Sequence, residues 1–244
     1  MLSLHLAWTK MKREIVWLLT GIFCFVCLSS LSHSGNVDTN KLLGLRDKAE
    51  LNKIAQEAEK EYKKNPKDKD TLLTLGLANH NLGDMRVKDA VTKCIEYLKP
   101  ANKLYPDDAL ILALLGSCIT MVGRDASSIP DKMRYVNEGT PMIDKAVQMA
   151  PDDVFVRMVR AGDAAGLPKL FGRTKYVKED LLHIEDIIKK SPKDVSVDLQ
   201  AEVYYKLGNV FRSEKDESKT KSYFKKAAEL SPDSEYGKRA KREL

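Results

Sequence analysis

Four arginines and two cysteines are the residues of this chain whose type and spacing could do chemistry. Arg157 and Arg160 stand three apart in the otherwise apolar run "VFVRMVRAG", so a helix would bring them onto one face. Arg124 and Arg173 each follow a glycine at the end of a comparable run. Four guanidinium groups beside one groove could hold a carboxylate or a phosphate through paired N–H donors. The competing expectation is pairing with Asp125, Asp153, Asp163 and Glu179. Cys94 and Cys118 lie on helices expected to be neighbours, where they form a disulfide if their Cα atoms come within about 7 Å, or else two buried thiols.

The remaining polar residues point away from catalysis. Of the four histidines, His5 and His33 fall in the leader and His80 ends an apolar helix. His183 stands beside Glu185 and Asp186 on a helix flank that reads as solvated. Beyond the leader no His or Cys pair has metal-ligand spacing, and neither a nucleophile elbow nor a phosphate-binding loop is present. Asp107–Asp108 and Asp152–Asp153 resemble carboxylate pairs, but helix capping accounts for them. No catalytic, cofactor or metal site is therefore expected.

Positive and negative residues are interspersed, and the formal charge of +6 is not gathered into a basic stripe, which argues against nucleic-acid binding. The first 34 residues differ from the rest. A basic start, Lys12 and Arg13, leads into the apolar run Ile15–Leu28 and then into small polar residues. As a helix that run reaches about 21 Å, short of a hydrocarbon core of about 30 Å. Ser32-His33-Ser34 has the small-x-small pattern of a signal-peptidase site, making Gly35 the first mature residue. The alternative is an uncleaved anchor, with the helix extended to Leu31, and membrane contact would then run through this segment alone. Both place the body outside the cytoplasm, in the periplasm, the cell envelope or beyond. Cys24 and Cys27 lack the flanking residues of a lipid-attachment site, and the terminal "KREL" has Arg242 where a retrieval signal prefers an acid.

The elements that must position the arginines and cysteines follow from a ruler of prolines. Pro66, Pro106, Pro151, Pro192 and Pro232 are separated by 40, 45, 41 and 40 residues, in "NPKD", "YPDD", "APDD", "SPKD" and "SPDS". Each ends one amphipathic helical run, because proline lacks the N–H to continue it, and the Asp after it can cap the next. Gly76, Gly116 and Ala161 fall ten residues after a corner proline, and Gly83 and Gly123 close the same helices. Ala101, Ala146 and Ala227 fall five residues before the following one, and Phe224 eight before Pro232. With these positions the chain resembles the tetratricopeptide (TPR) repeat family, in which small residues let helix A touch helix B. Its middle is also similar to a group of exported bacterial TPR-like proteins.

The resemblance implies an all-α, TPR-like helical-hairpin solenoid. It departs from the family in period, since about 34 residues per repeat is usual and the extra length here implies enlarged A–B insertions. The layout expected is a signal or anchor over 1–34, a capping helix or half-repeat over 35–65 with its helix at 39–64, four TPR-like hairpins over 66–232, and a polar cap over 233–244. The hairpins are expected at 69–82/86–105, 108–122/141–149, 153–166/176–190 and 195–212/216–230. Thr140-Pro141 reads as the start of the second hairpin's outer helix.

Helix 108–122 has no polar face, so something must cover its second side. One expectation is that the insertion 123–141 folds over the groove with Ile129, Met133, Tyr135 and Val136 as plugs. The other is a bound ligand. By family register Leu73, Leu77, Leu110, Ala113, Phe155 and Met158 face the concave wall, with Arg124, Arg157, Arg160 and Arg173 as an anion-holding rim. The function expected is a non-enzymatic, exported scaffold for a protein or peptide partner in the bacterial cell envelope. Its rival is a small-molecule component of a transport system, taking a lipid-like or amphiphilic ligand.

Overall fold

The computed structural model describes residues 39–244, and the expected signal or anchor over 1–34 lies outside them. Among the described residues the chain is helical throughout, without a strand. It opens with a short helix α1 (Thr39–Gly44) and continues as α2 (Lys48–Lys64). Four hairpins follow: α3 (Lys69–Asp84) with α4 (Ala90–Leu104), α5 (Ala109–Asp125) with α6 (Ile129–Met149), α7 (Val154–Gly166) with α8 (Thr174–Lys190), and α9 (Val197–Ser213) with α10 (Glu217–Leu230). A short α11 (Glu235–Arg242) ends the array.

The proline corners work by capping. Asp68, Asp108 and Asp153 each stand two residues past their proline. Each accepts a hydrogen bond from the first free backbone N–H groups of the next helix, Asp68 from Thr71 at 2.8 Å and Asp108 from Ile111 at 2.9 Å. At the fourth corner Asp194 does not cap. Ser196 takes that role, and Gln200 reaches back to donate to the carbonyls of Pro192 and Val195, both at 2.7 Å.

Each hairpin packs on the next. α4 lies against α5, α6 against α7 and α8 against α9, while α3, α5 and α7 line up as an inner wall. This answers what covers α5. It is walled by α3, α4, α6 and α7, so its apolar residues from Ile111 to Met121 are buried by neighbouring helices, while Leu110 in the first turn stays half-exposed. The insertion does not fold over the groove. It is taken up by lengthening the outer helix, so that α6 runs for 21 residues and begins well before Pro141. Ile129 is 75% exposed and Met133 37%, so neither is a plug, whereas Val136 is buried within the hairpin. Thr140 is not a cap either. It sits inside α6 and donates its hydroxyl to the carbonyl of Val136 at 2.9 Å.

The hairpin contact depends on missing side chains. A Cβ on Gly116 would stand 2.7 Å from the carbonyl oxygen of Gly139, and one on Gly139 would overlap the carbonyl of Gly116. The α5 and α6 backbones therefore touch directly. In the fourth hairpin Gly208 receives the Phe224 ring in the same manner.

The expected single helix over 39–64 is broken. Asp47 caps α2 by accepting from the Glu50 N–H at 2.8 Å, which starts a new helix there and frees α1 to turn away. α1 packs on α3 and also reaches α9, laying the buried Leu42 and Leu43 across the inner wall.

Gly139→Ala is expected to lower unfolding free energy by about 1–3 kcal/mol, because two backbones must separate. Gly162→Ala in α7, where a Cβ meets nothing within 4 Å, should be neutral or stabilising by up to about 1 kcal/mol. Urea unfolding followed by circular dichroism compares the two.

Candidate functional site

The six predicted groove residues divide among three places. Leu77, Ala113 and Met158 are buried, and Met158 lines a central cavity. Leu73 and Leu110 remain half-exposed and share a shallow groove at the proline corners with Leu104, Met149 and the carboxylates of Asp107, Asp108 and Asp153. Phe155 lies apart from them, in a small depression with Val195 and Leu199. One continuous apolar trough along the inner wall is not what forms.

The four arginines do not make a free anion-holding rim, because each is already paired. Arg157 and Arg160 are buried and converge on Asp180, which is fully buried on α8. Arg157 Nη1 donates to Asp180 Oδ1 at 2.7 Å, and Arg160 donates through Nε and Nη2 to both oxygens at 2.7 Å. Arg160 also reaches Glu179 at 3.0 Å and stacks on the Tyr176 ring, 4.3 Å from its centre. Arg173 forks onto Asp144 at 2.6 and 2.8 Å, and Arg124 forks onto Asp125 while donating to the Gly83 carbonyl at 2.9 Å. Asp125 and Glu179 take the expected roles. Asp153 is occupied as a helix cap and Asp163 with a hydroxyl, so Asp144 and Asp180 stand in their places. Nothing in sequence spacing singles those two out, since they come from the facing outer helices.

Cys94 on α4 and Cys118 on α5 are joined by a disulfide, with Cα atoms 6.3 Å apart. It ties the first hairpin to the second across their buried contact.

The most distinctive site is a cavity of about 240 Å³ behind α1. The second halves of α3, α5 and α7 form its walls, and Leu43 and Arg46 belong to its roof. A directed hydrogen-bond chain holds the roof. Asn81 uses its amide Nδ2 to donate to the Leu42 carbonyl at 2.7 Å, which leaves its Oδ1 to accept from His80 Nδ1 at 3.2 Å. His80 Nε2 then accepts from the Ser117 hydroxyl at 3.0 Å. Burial pushes the His80 pKa down, favouring the neutral imidazole in which Nδ1 carries the proton and Nε2 accepts.

Asp163 occupies the far wall. The Thr120 hydroxyl lies within hydrogen-bonding reach of Asp163 Oδ1 and of the Ser117 carbonyl, and its one proton serves only one of them at a time. Asp163 Oδ2 is shielded from solvent and has no partner among the described residues. Desolvation pushes this carboxyl up to about 6. The signal for this site was present in "LANHNLGD", where two asparagines and a histidine interrupt an apolar helix. Its meaning depended on α1, which sequence reading left in a longer helix.

Neither a protein-family model nor a curated protein matches the sequence. Among solved structures, a thermophilic TPR protein from Thermus thermophilus is similar, with a TM-score of 0.61 over 80% of this chain and 90% of that one, at 16% identity. Together with the helical-hairpin succession, this likeness identifies the fold as an all-α, TPR-like solenoid.

Asp180→Ala strands two buried guanidinium groups and is expected to cost about 3–5 kcal/mol. Asp186→Ala on the exposed side of the same helix should stay within about 0.5 kcal/mol. Thermal or urea unfolding reads both. For Asp163 the folded carboxyl binds its proton more tightly than an unfolded one, whose pKa is about 3.9. Its protonation thus favours the folded state, and stability should fall as pH rises from about 4 to about 6 and then level off. Asp163→Asn should remove that slope, which denaturation midpoints across the window would reveal.

Proposed function

We propose that this protein is a non-enzymatic TPR-type scaffold, exported to the bacterial cell envelope, where it binds a protein or peptide partner. The observation that carries the reading is the corner groove. Leu73 and Leu110 keep apolar surface in water there beside Leu104, 41% exposed, and Met149, 36% exposed, so that four large apolar side chains share one groove. Exposed leucines clustered with an apolar neighbour are the kind of surface an amphipathic helix covers. Asp107 is exposed at the edge, and the cation lining the groove, Lys69, is bound to Asp108 at 2.6 Å. The surface therefore suits an apolar helix flanked by basic residues.

Export is supported by the signal-like leader and by the Cys94–Cys118 disulfide, since such bonds persist in oxidising compartments and are rare in the cytosol. The amphiphile-carrier alternative has less support, because the arginines that would hold a charged headgroup are all ion-paired.

The test is affinity capture of the full-length, C-terminally tagged chain from cross-linked envelope extract. Leu73→Glu with Leu110→Glu should lower recovery of specific partners about tenfold or more, a loss of at least about 1.4 kcal/mol, while helical circular dichroism is unchanged. Undiminished partners would remove the groove from the interface. In the same captured protein Cys94 and Cys118 should resist alkylation until a reductant is added, and freely reactive thiols would count against export.

A further inference from the structure

The hairpin tips form the edge of the array opposite the proline corners. Contacts between successive tips show that they share it. The Arg86–Asp125 ion pair at 3.0 Å and the Arg124 bond to the Gly83 carbonyl join the first tip to the second. Thr120 meets Asp163 near the ends of α5 and α7, which brings the second tip beside the third. Lys178 on Glu214 at 2.7 Å joins the third to the fourth.

Two apolar side chains stand out from this edge. Ile129 at the start of α6 and Leu170 between α7 and α8 are each 75% exposed, the most of any large apolar residue among the described ones. Met133, one turn after Ile129, lies on the same face of α6. Leu170 is held firmly in its place. Lys169–Phe171 make a 3-10 turn, closed by the Gly172 N–H on the Lys169 carbonyl at 2.9 Å, and Arg173 then forks onto Asp144. A tip fixed in this way loses little freedom on contact. Neither Ile129 nor Leu170 lines the central cavity, the corner groove or the Phe155 depression. A protein partner would have to supply a pocket for each such projection, whereas a lipid interface accepts both without one.

The charge around the tips has one sign. Residues 167–178 hold Lys169, Arg173, Lys175 and Lys178 and no acid. Lys132 stands between Ile129 and Met133, and Asp131 beside it is taken by the Ser128 hydroxyl and Arg134. Lys132 and Lys169 form no ion pair among the described residues, and Lys175 lies 5.0 Å from the Tyr176 ring centre without a carboxylate partner. Lysine stems are long enough to keep the ammonium among headgroups while apolar neighbours go deeper.

We propose that this edge docks on an anionic lipid bilayer, with Leu170, Ile129 and Met133 entering the interface and Lys132, Lys169 and Lys175 meeting the headgroups. Apolar anchors and surface charge add in such binding. Docked this way, the array turns its proline corners away from the lipid and leaves the corner groove open to a partner. The reading does not require that partner, and it concerns a different part of the chain from the leader.

The test is hydrogen exchange of the full-length chain, read by mass spectrometry, on two kinds of vesicle. One is phosphatidylcholine alone and the other contains roughly one-third phosphatidylglycerol. Any contact made by the leader falls in other peptides. Amides of 129–134 and 168–172 should exchange about fivefold or more slowly on the anionic vesicles only, and high salt should reverse the effect. Ile129→Ser with Leu170→Ser should remove the protection while helical circular dichroism is unchanged. Lys132→Gln with Lys169→Gln and Lys175→Gln should raise the lipid concentration for half-protection about tenfold or more. Capture of partners through Leu73 and Leu110 should be the same in these variants, so failure here leaves the scaffold reading intact. Unprotected tips on anionic vesicles, equal protection on phosphatidylcholine alone, or protection that survives the serine pair would overturn the proposal. Protection by vesicle-free envelope protein in place of vesicles would assign the edge to a protein partner and overturn it too.

Discussion

A helix that is apolar all round can persist in water only when other helices wall it on every side, and α5 imposes that demand on the whole array. Its neighbours α3, α4, α6 and α7 supply the walls. Each of those helices inherits a buried face from the contact and must hide its own far side in turn, which is why the hairpins continue on either side. The closest contact, between the α5 and α6 backbones at Gly116 and Gly139, leaves no room for a side chain on either helix. The disulfide from α4 to α5 lies in the same contact network and fixes the first hairpin on the second.

Burial on this scale also governs the charges. Arg157 and Arg160 project from an inner helix into the interior of the third hairpin, where an isolated guanidinium would be strongly disfavoured. Asp180 compensates both, and Tyr176 covers the outer guanidinium planes of Arg160 and Arg173. Such a network specifies how α7 meets α8 more than it offers a place for an external anion.

The inner wall is divided in character by α1. Where the inner helices begin, near the proline corners, apolar side chains stay partly in water. Where they end, α1 crosses from α3 to α9 and borders a cavity lined by both polar and apolar side chains. A short segment with two buried leucines suffices for this because Asn81 reads its backbone carbonyls, and a backbone contact does not depend on what side chains the segment carries. One surface of a repeat array thereby holds two chemically unlike regions.

The proline ruler, the capping aspartates and the small residues at fixed offsets were enough to read the fold from sequence, because each acts locally on backbone geometry. Pro66, Asp68 and Gly76 mean the same in any array of this kind. The site was less legible, because it depends on which side chains meet across helices far apart in sequence. Asp144 and Asp180 found the arginines only when the outer helices folded onto the inner ones. Asp163 became a buried acceptor, and the 123–141 insertion a helix extension, through packing. For α1 the break is local, made by the Asp47 cap, but where the segment then lies was decided by its contacts with Asn81 and α9.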